Sequence, residues 1–264
     1  MNFDILRQKI LEKAIRGELV PQLENEPEVA QIGDASEAVP FVLPQRWKWM
    51  KLSNLGKLST GSTPKTSDKS LYGGSFPFIK PSEITESGDL ILKPSLSESG
   101  KNTTRVVKTG SVLMVCIGAT IGKTAIAQTD VAFNQQINAI EPNFDIVDSK
   151  FLHYIFRSNW LQTNIKNSSS ATTLPIINKR KWGDLFIPLP PIEEQRRIIA
   201  KLNQLFEQIN RAERAYNELS GPLSERFRQL CLEKAIQGKL VPQLESEPAV
   251  EQIGKAPELS LIHI

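Results

Sequence analysis

Residues 11–33 of this chain read LEKAIRGELVPQLENEPEVAQIG, and residues 232–254 read LEKAIQGKLVPQLESEPAVEQIG, with 18 of the 23 paired positions identical. Each copy opens with apolar residues at helical spacing and then has a glycine, Gly17 or Gly238, where a helix C-cap is expected. A Val-Pro pair and acidic residues follow, and a residue before proline is driven out of the helical region. The repeat therefore predicts a helix that ends at the same residue twice, followed each time by an extended linker.

A unit that occurs only twice, 221 residues apart, is not a solenoid repeat, whose period is roughly 20–50 residues. The two copies either mark equivalent joints of the architecture or record a recent duplication without a mechanical role. We favour equivalent joints because both copies combine the same helix, the same stop and the same linker. The first copy leads into a globular segment, and the second leads almost at once to the last residue.

The first forty residues predict a short helix and a linker. Phe3, Leu6, Ile10 and Ala14 have helical spacing. A helix of this length is not stable alone, so it requires a packing partner. Residues 18–40 are acidic and contain three prolines, which is typical of a surface linker.

Composition excludes several classes of protein. With 264 residues and 40% hydrophobic content, the chain can form one or two domains with packed cores. It has no signal peptide pattern and no apolar run of the roughly 20 residues that span a membrane, so we expect a soluble cytoplasmic protein. Cys116 and Cys231 are interpreted as buried thiols, and with only His153 and His263 beside them no zinc cluster is expected.

Positive charge is concentrated in the middle of the chain. Residues 41–190 hold 18 Lys/Arg against 10 Asp/Glu, whereas the remaining residues hold 14 against 19. A cationic segment attracts polyanions by neutralising phosphates and releasing counterions. Charge alone leaves nucleic-acid binding and ordinary surface solubility equally open.

Several stretches of the middle segment combine basic and hydroxyl side chains. Residues 61–65 (GSTPK) form a turn in which hydroxyls and an ammonium group can hold phosphate oxygens, and residues 179–181 (KRK) are the densest basic cluster. Trp47 and Trp49 alternate with basic residues, which favours a strand with buried tryptophans over a base-stacking platform. The candidates for positioning DNA are Ser62, Thr63, Lys65, Lys80, Lys123, Lys179, Arg180 and Lys181.

Three further patterns yield specific expectations. Residues 118–123 (GATIGK) have three residues between the glycines where a P-loop needs four, so we expect strand, tight turn and strand, without nucleotide hydrolysis. Residues 133–140 predict a strand that carries amide side chains, and residues 76–82 predict an edge strand because of their prolines. Residues 151–165 predict one amphipathic helix.

A long helix begins at Ile192 and is interrupted at Gly221-Pro222. Glu193 and Glu194 lie in its first turn, where the helix dipole favours anions. Its apolar residues repeat with alternating steps of four and three, which predicts a helix–helix interface. The predicted interface residues are Ile198, Leu202, Leu205, Ile209, Ala212, Tyr216 and Leu219.

Taken together, five stretches resemble the specificity (S) subunits of bacterial type I restriction-modification systems. The resemblance covers nearly the whole chain, and it is specific because the stretches have the right order and spacing. They are residues 61–64 (GSTP), 118–123 (GATIGK), 133–135 (FNQ), 189–198 (LPPIEEQRRI) and 232–242 (LEKAIQGKLVP).

The resemblance implies an α+β protein: a mixed α/β target recognition domain followed by long coiled-coil-type spacer helices, with a short N-terminal helix. It implies the domains 1–40 (repeat helix and linker), 41–190 (recognition domain), 191–238 (spacer helices) and 239–264 (repeated linker and a truncated or artefactual end). Such subunits bind double-stranded DNA, each recognition domain reading half of a bipartite site. They dock methyltransferase (M) subunits and a restriction (R) motor-nuclease subunit and perform no chemistry. S-adenosylmethionine, ATP and Mg²⁺ are then expected on partner subunits, with no cofactor, metal or catalytic residue in this chain.

The chain departs from the family pattern by having one recognition domain where two are usual. It is then a natural half-subunit that forms a homodimer, a truncated gene product or a fragment. The last six residues, LSLIHI, can be spelled by codons that resemble the end of a transposon adapter used in sequencing libraries, so we expect the natural part of this sequence to stop near Glu258, beyond which the gene would continue into a second recognition domain. A genomic read that showed LSLIHI followed by a stop codon would reject this expectation.

Two alternative functions remain open from the sequence. The chain could be the recognition part of a single-chain restriction-methyltransferase, which a catalytic module in the same reading frame would establish. It could also be a helical scaffold without a DNA role, although the uneven charge disfavours this.

Overall fold

The computed structural model describes residues 2–33, 41–170, 174–242 and 246, and within them the chain has an α+β fold. The helices are α1 (Phe3–Ile15), α2 (Glu98–Asn102), α3 (Ser149–Phe156), α4 (Asn159–Ser168), α5 (Lys179–Gly183), α6 (Ile192–Ser220) and α7 (Pro222–Ile236). The strands are β1 (Lys48–Lys51), β2 (Gly56–Thr60), β3 (Tyr72–Ile79), β4 (Pro94–Leu96), β5 (Val106–Val107), β6 (Val112–Val115), β7 (Thr124–Ile126), β8 (Val131–Phe133), β9 (Ile137–Pro142) and β10 (Phe186–Leu189). The chain forms two compact units, Met1–Ile209 and Asn210–Ile264.

The described strands form three sheets in the first unit. Strands β1 and β10 make a two-stranded antiparallel sheet. A four-stranded sheet has the order β2-β9-β6-β7, and all its pairs are antiparallel. The other four-stranded sheet has the order β4-β3-β8-β5, and its β3–β8 pair is parallel.

Strand β6 separates two hydrophobic cores, because successive side chains of a strand point to opposite faces. Val112 and Met114 lie in the main core, which also contains residues of α1, α3, α4 and α6. Leu113 and Val115 lie in a second core between the two four-stranded sheets. Both faces of the β2-β9-β6-β7 sheet are therefore covered, and its exposed features lie at the strand ends.

The two copies of the repeat end their helices in the same way. Gly17 has φ +74° and Gly238 has φ +67°, the left-handed conformation of a glycine that follows a helix. Glu18 N donates to Lys13 O at 2.9 Å, and the equivalent Lys239 N donates to Lys234 O at 2.7 Å. The predicted helix stops are therefore confirmed in both copies.

Only the first copy is packed against a core within the described residues. Leu11 and Ile15 are at most 3% exposed, whereas the equivalent Leu232 and Ile236 are 57% and 87% exposed. The same local sequence thus forms the same helix end in two different environments. The sequence predicts Leu6 on the buried face of α1, but this residue is 44% exposed. The buried face is formed instead by residues that include Leu11 and Ile15.

The start of α6 is joined to the first repeat by buried polar contacts. The Glu194 carboxylate accepts hydrogen bonds from Gln22 and, at 2.9 Å, from Trp47 Nε1. Arg197 donates to both carboxylate oxygens of Glu26, at 3.1 and 2.6 Å, and to Pro21 O at 2.8 Å. Most of residues 18–33 are exposed and form no helix or strand, as expected of a surface linker, but contacts such as Glu26–Arg197 hold this segment on the domain; residues 34–40 lie outside the described residues.

Gln195 fixes the same helix end from its other side. Its amide donates to Ile146 O at 2.8 Å and Pro190 O at 2.9 Å, and its carbonyl oxygen accepts from Asp148 N at 2.9 Å. Gln195 and Glu194 are fully buried. Burial raises the pKa of the Glu194 carboxyl, although the hydrogen bonds from Trp47 and Gln22 oppose this shift.

The side chains predicted to form a helix–helix interface fall into two groups along α6. Ile198 and Leu202 are fully buried in the main core, so the first part of the stripe packs against the recognition domain of the same chain. Pairing with another helix stays a prediction for the later part. Leu205 is partly buried, Ile209 is buried, and Ala212, Tyr216 and Leu219 are exposed. The predicted interruption is present, since α6 ends at Ser220 and α7 begins at Pro222.

Three sequence-based element assignments need correction. The segment with prolines is not an edge strand: β3 pairs on both sides, and a shift of register at Phe76/Pro77 accommodates the missing N–H of Pro77. Residues 133–140 do not form one strand, because a turn at residues 134–136 separates β8 from β9. The single helix predicted for residues 151–165 is two helices, since Ser158 caps α4 by accepting from Leu161 N.

We expect Glu26→Gln to lower the free energy of unfolding by about 2–4 kcal/mol, because it leaves the Arg197 guanidinium partly buried without its charged partner. Urea unfolding followed by tryptophan fluorescence measures the change. The matched control is Glu193→Gln, which removes an exposed ion pair to Arg196 on the same helix and should cost less than about 1 kcal/mol. Equal losses in both variants would contradict a structural role for the Glu26–Arg197 pair.

His153 predicts a dependence of stability on pH. The side chain is 9% exposed, and burial lowers the His153 pKa from 6.5 to about 4. The unfolded chain therefore binds a proton that the folded chain does not, so this stabilisation is present above pH 6.5 and is lost as the pH falls toward 4. Relative to His153→Leu, wild type should lose up to about 3 kcal/mol between pH 7 and pH 4 in urea titrations. A difference between the two proteins that is independent of pH would contradict burial of a neutral imidazole.

Candidate nucleic-acid interface

Loops rich in polar side chains meet at one end of the β2-β9-β6-β7 sheet. Because neighbouring strands are antiparallel, the end of β2 lies beside the start of β9, and the end of β6 lies beside the starts of β9 and β7. The register confirms this arrangement through the pairs Thr60↔Asn138, Val115↔Ile137 and Met114↔Thr124. We call this edge the loop end of the sheet; its loops are residues 61–65, 116–123 and 134–136.

The 61–65 loop is held directly on the 134–136 turn. Gly61 N donates to Ile137 O, and Ser62 N donates to Phe133 O, each at 3.0 Å. A Cβ atom on Gly61 would lie 2.2 Å from Asn134 O, so only glycine allows this approach. The loop position is therefore fixed by backbone contacts, which leaves its side chains available.

Hydroxyl and amide groups of the loop end are hydrogen-bonded to one another. Thr63 Oγ1 donates to Gln135 Oε1 at 2.6 Å, and both residues are exposed. This contact occupies the Gln135 carbonyl oxygen and leaves its NH₂ group able to donate outward. Ser62 Oγ lies 3.1 Å from Thr104 Oγ1 and accepts from Arg105 N at 3.2 Å. Residues 134–136 form a turn rather than a strand, in which Asn134 is buried and bonded to Gln136 while the Gln135 side chain is exposed, so a ligand can reach the Gln135 amide.

Three exposed cations surround this hydroxyl and amide cluster. Lys65 follows the 61–65 loop, and Lys80 follows β3, whose last carbonyl, Ile79 O, accepts from Asn134 N at 3.0 Å. Arg105 follows Thr104 and is not among the cations predicted from the sequence. None of the three side chains makes an ion pair with a described residue. The spacing of basic residues in the sequence does not predict a role for Arg105. This residue directly precedes β5, and only the pairing of β5 in the sheet brings it to the cluster.

The remaining predicted cations are arranged differently. Lys123 lies at the loop end, but its ammonium is 2.6 Å from the Glu86 carboxylate. Lys179 and Arg180 line a cavity of about 460 Å³ with Gly56, at the start of β2. Gly56 and Thr60 are the two ends of β2 and lie roughly 13 Å apart. The structure thus brings Ser62, Thr63, Lys65 and Lys80 together, and places Lys179, Arg180 and Lys181 on α5 in a separate group.

The GATIGK stretch adopts the predicted strand–turn–strand geometry. Residues 116–123 connect β6 and β7, which pair directly, and Gly122 has φ +91°. A Cβ atom on Gly122 would lie 2.2 Å from Gln162 Oε1, so the turn packs closely on α4. No helix follows the loop, and the geometry of a P-loop is therefore absent.

Other chemistry has little support among the described residues. Burial raises the pKa of the Cys116 thiol to about 11, so this thiol is not an activated nucleophile. Within the described ranges no group of three or more His, Cys, Asp or Glu side chains is arranged to hold a metal ion. None of the helices in that part of the chain is long and apolar enough to cross a membrane.

The chain is similar in sequence to known proteins over most of its length. Residues 44–220 match the family described as the type I restriction modification DNA specificity domain. The chain is 27% identical over 186 residues to the type I restriction enzyme MjaIX specificity subunit of Methanocaldococcus jannaschii, covering 67% of this chain and 41% of that subunit. It is 30% identical over 143 residues to the EcoBI specificity subunit of Escherichia coli, covering 53% and 30%.

Solved structures show the same similarity. The HsdS subunit of Thermoanaerobacter tengcongensis superposes with a TM-score of 0.60 at 25% identity, covering 90% of this chain and 51% of that one. A chain from a structure titled for complex assembly and conformational transition of the type I R-M system gives a TM-score of 0.62 at 27% identity. This chain thus spans less than half the length of these two curated relatives and about half the length of the two solved chains. The family match over most of the chain, together with the shared fold, shows that the chain belongs to the family of type I restriction-modification DNA specificity domains.

Proposed function

We propose that this chain binds duplex DNA in a sequence-specific manner, as a specificity subunit that reads one half of a bipartite site. The observation that carries the proposal is the family match over residues 44–220, which includes every predicted DNA-positioning residue. The net positive charge of residues 41–190 supports it, because phosphate neutralisation supplies much of the affinity of DNA-binding proteins.

The loop end of the sheet has the chemistry that such binding requires. Lys65, Lys80 and Arg105 contact phosphates in this proposal and thereby set the position of the domain on the duplex. The outward NH₂ group of Gln135, held by Thr63, is placed to donate to base edges, as amide side chains do in the major groove. The basic group on α5 then contacts a more distant part of the backbone.

The chain acts in this proposal without catalysis of its own. Methyltransferase subunits and a motor-nuclease subunit supply the chemistry and hold S-adenosylmethionine, ATP and Mg²⁺. The exposed apolar residues of the second unit support docking of another helical protein, since such a surface is unfavourable in water. Phe227 is 69% exposed, Leu230 is 49% exposed and Leu219 is 66% exposed.

We expect Lys65→Ala and Lys80→Ala each to weaken binding to duplex DNA by roughly eightfold at 0.1 M salt, for all sequences alike. Loss of one phosphate contact should lower the slope of log K against log salt by roughly one. Fluorescence anisotropy with a labelled duplex, titrated over a range of NaCl concentrations, measures both quantities. Lys150→Ala is the control, because Lys150 is exposed and lies near Ile126, at the end of β7 away from the loops. A slope that stays the same in both variants would reject these phosphate contacts.

We expect Phe227→Glu with Leu230→Glu to abolish helix-mediated assembly, because each change places a charge in an apolar contact. Sedimentation velocity should show wild type as a dimer, or as a complex with added methyltransferase subunits, and the double variant as a monomer in both cases. Gln229→Glu is the control, since it adds a charge to an exposed polar position of the same helix. The docking proposal would be wrong if wild type remained monomeric alone and with methyltransferase subunits.

A further inference from the structure

A polar cavity beside the loop end has no role in the function proposed above. It has a volume of about 450 Å³ and lies between the β6–β7 turn, the 85–86 turn, α1 and α4. Its cationic lining residues are Lys123, Arg157 and Lys166, and Glu86 is its one carboxylate. Of these three, only Lys123 is predicted from the sequence, since Arg157 lies within, and Lys166 directly after, a segment with the pattern of an ordinary amphipathic helix.

The Arg157 side chain lacks a hydrogen-bond acceptor that a ligand in the cavity could supply. This side chain is partly buried and makes no hydrogen bond or ion pair with the described residues. Burial lowers the Arg157 pKa, and the charge of Arg7 adds to this shift, whereas Tyr154 and then the Asp89 carboxylate oppose it. A guanidinium that has lost water without gaining an acceptor is unfavourable, and an anion in the cavity would restore its hydrogen bonds.

The β6–β7 turn adds neutral donors to the same cavity. Ile121 N, Gly122 N and Lys123 N donate within the strand pair and its turn, whereas Ala119 N and Thr120 N donate to no described residue. Successive unpaired N–H groups in a turn form concavities that bind anions. Lys166 on α4 is exposed and makes no ion pair with a described residue, so its charge is also available.

We propose that this cavity binds one phosphodiester group of the duplex DNA backbone. This inference rests on the proposed DNA-binding function and adds a phosphate site to it. The cavity lining includes the exposed residues Ala119, Thr120 and Lys166, so the cavity opens to solvent, and its volume of about 450 Å³ leaves room for a phosphodiester with its flanking sugars. The cavity shares the 118–123 loop with the loop end, so one DNA strand can follow both.

Glu86 occupies part of this site in the free protein. The Glu86 side chain is 84% exposed and that of Lys123 is 22% exposed, so the carboxylate can move into solvent and a phosphate can take its place beside the Lys123 ammonium. The Glu86 carboxylate therefore competes with DNA for Lys123. Removing that carboxylate should strengthen binding, which is the opposite of what loss of a cation does.

The test measures binding of the full chain to a labelled duplex across a NaCl titration. Arg157→Gln and Lys166→Ala should each weaken binding by roughly eightfold at 0.1 M salt and lower the salt slope by roughly one, whereas Lys150→Ala should change affinity less than about twofold. Glu86→Gln should tighten binding by about twofold or more. Because a misfolded protein does not gain affinity, this last variant keeps the test valid if Arg157→Gln fails to fold. Variants that all behave like Lys150→Ala would overturn the proposal.

A second measurement separates backbone phosphate from free phosphate. The unfolding temperatures of wild type and Lys166→Ala are compared in sodium phosphate and in sodium chloride at equal ionic strength. If phosphate stabilises only wild type while the DNA salt slopes are unchanged, the cavity binds a free anion and the assignment to the duplex backbone is wrong. If wild type does not bind duplex DNA at any salt concentration, the proposed function fails as well. Phosphate stabilisation that Lys166→Ala abolishes would then still establish the cavity as an anion site.

Discussion

The buried polar joint at the start of α6 is the contact on which the first unit depends. Glu194 and Arg197 are bonded to residues 21–26 of the first repeat, and Gln195 is bonded to Ile146 O on another side of the helix end. Buried polar groups are tolerated only when their hydrogen bonds are satisfied, so partners and helix must keep one relative position. Through Gln22 and Glu26 the joint also fixes the first repeat, and the α1 helix before it, on the domain.

The contacts of this joint distinguish the first copy of the repeat from the second. In the first copy Leu11, Ala14 and Ile15 are buried, and the segment after Gly17 supplies the partners of Glu194 and Arg197. The second copy has the same helix end, with its apolar residues exposed. The two copies share a helix end but differ in burial. A helix C-cap depends on residues adjacent in sequence, whereas burial depends on which other segments pack against the helix. The second copy therefore exposes the apolar side chains that the first copy buries.

The candidate DNA interface follows from the position of strand ends rather than from any one motif. An antiparallel sheet whose two faces are covered leaves its loops as the accessible polar surface. Residues distant in sequence, such as Ser62, Thr104 and Gln135, meet there because β2, β5, β8 and β9 end nearby. The cavity with Arg157 and Lys166 adjoins this surface for the same reason, since the β6–β7 turn contributes to both.

The sequence by itself determined the elements whose causes are local. These elements are the helix stops at Gly17 and Gly238, the interruption at Gly221-Pro222 and the strand–turn–strand form of GATIGK, which all depend on a few neighbouring residues. Tertiary structure alone decided which residues meet. It showed that Ile198 and Leu202 pack on the domain itself, that the 18–33 segment is bonded to α6, that Pro77 lies inside a sheet, and that Arg105 and Arg157 belong with the predicted cations. These outcomes depend on contacts between distant segments, and periodicity and charge report only whether a side chain needs a partner, not which partner it obtains.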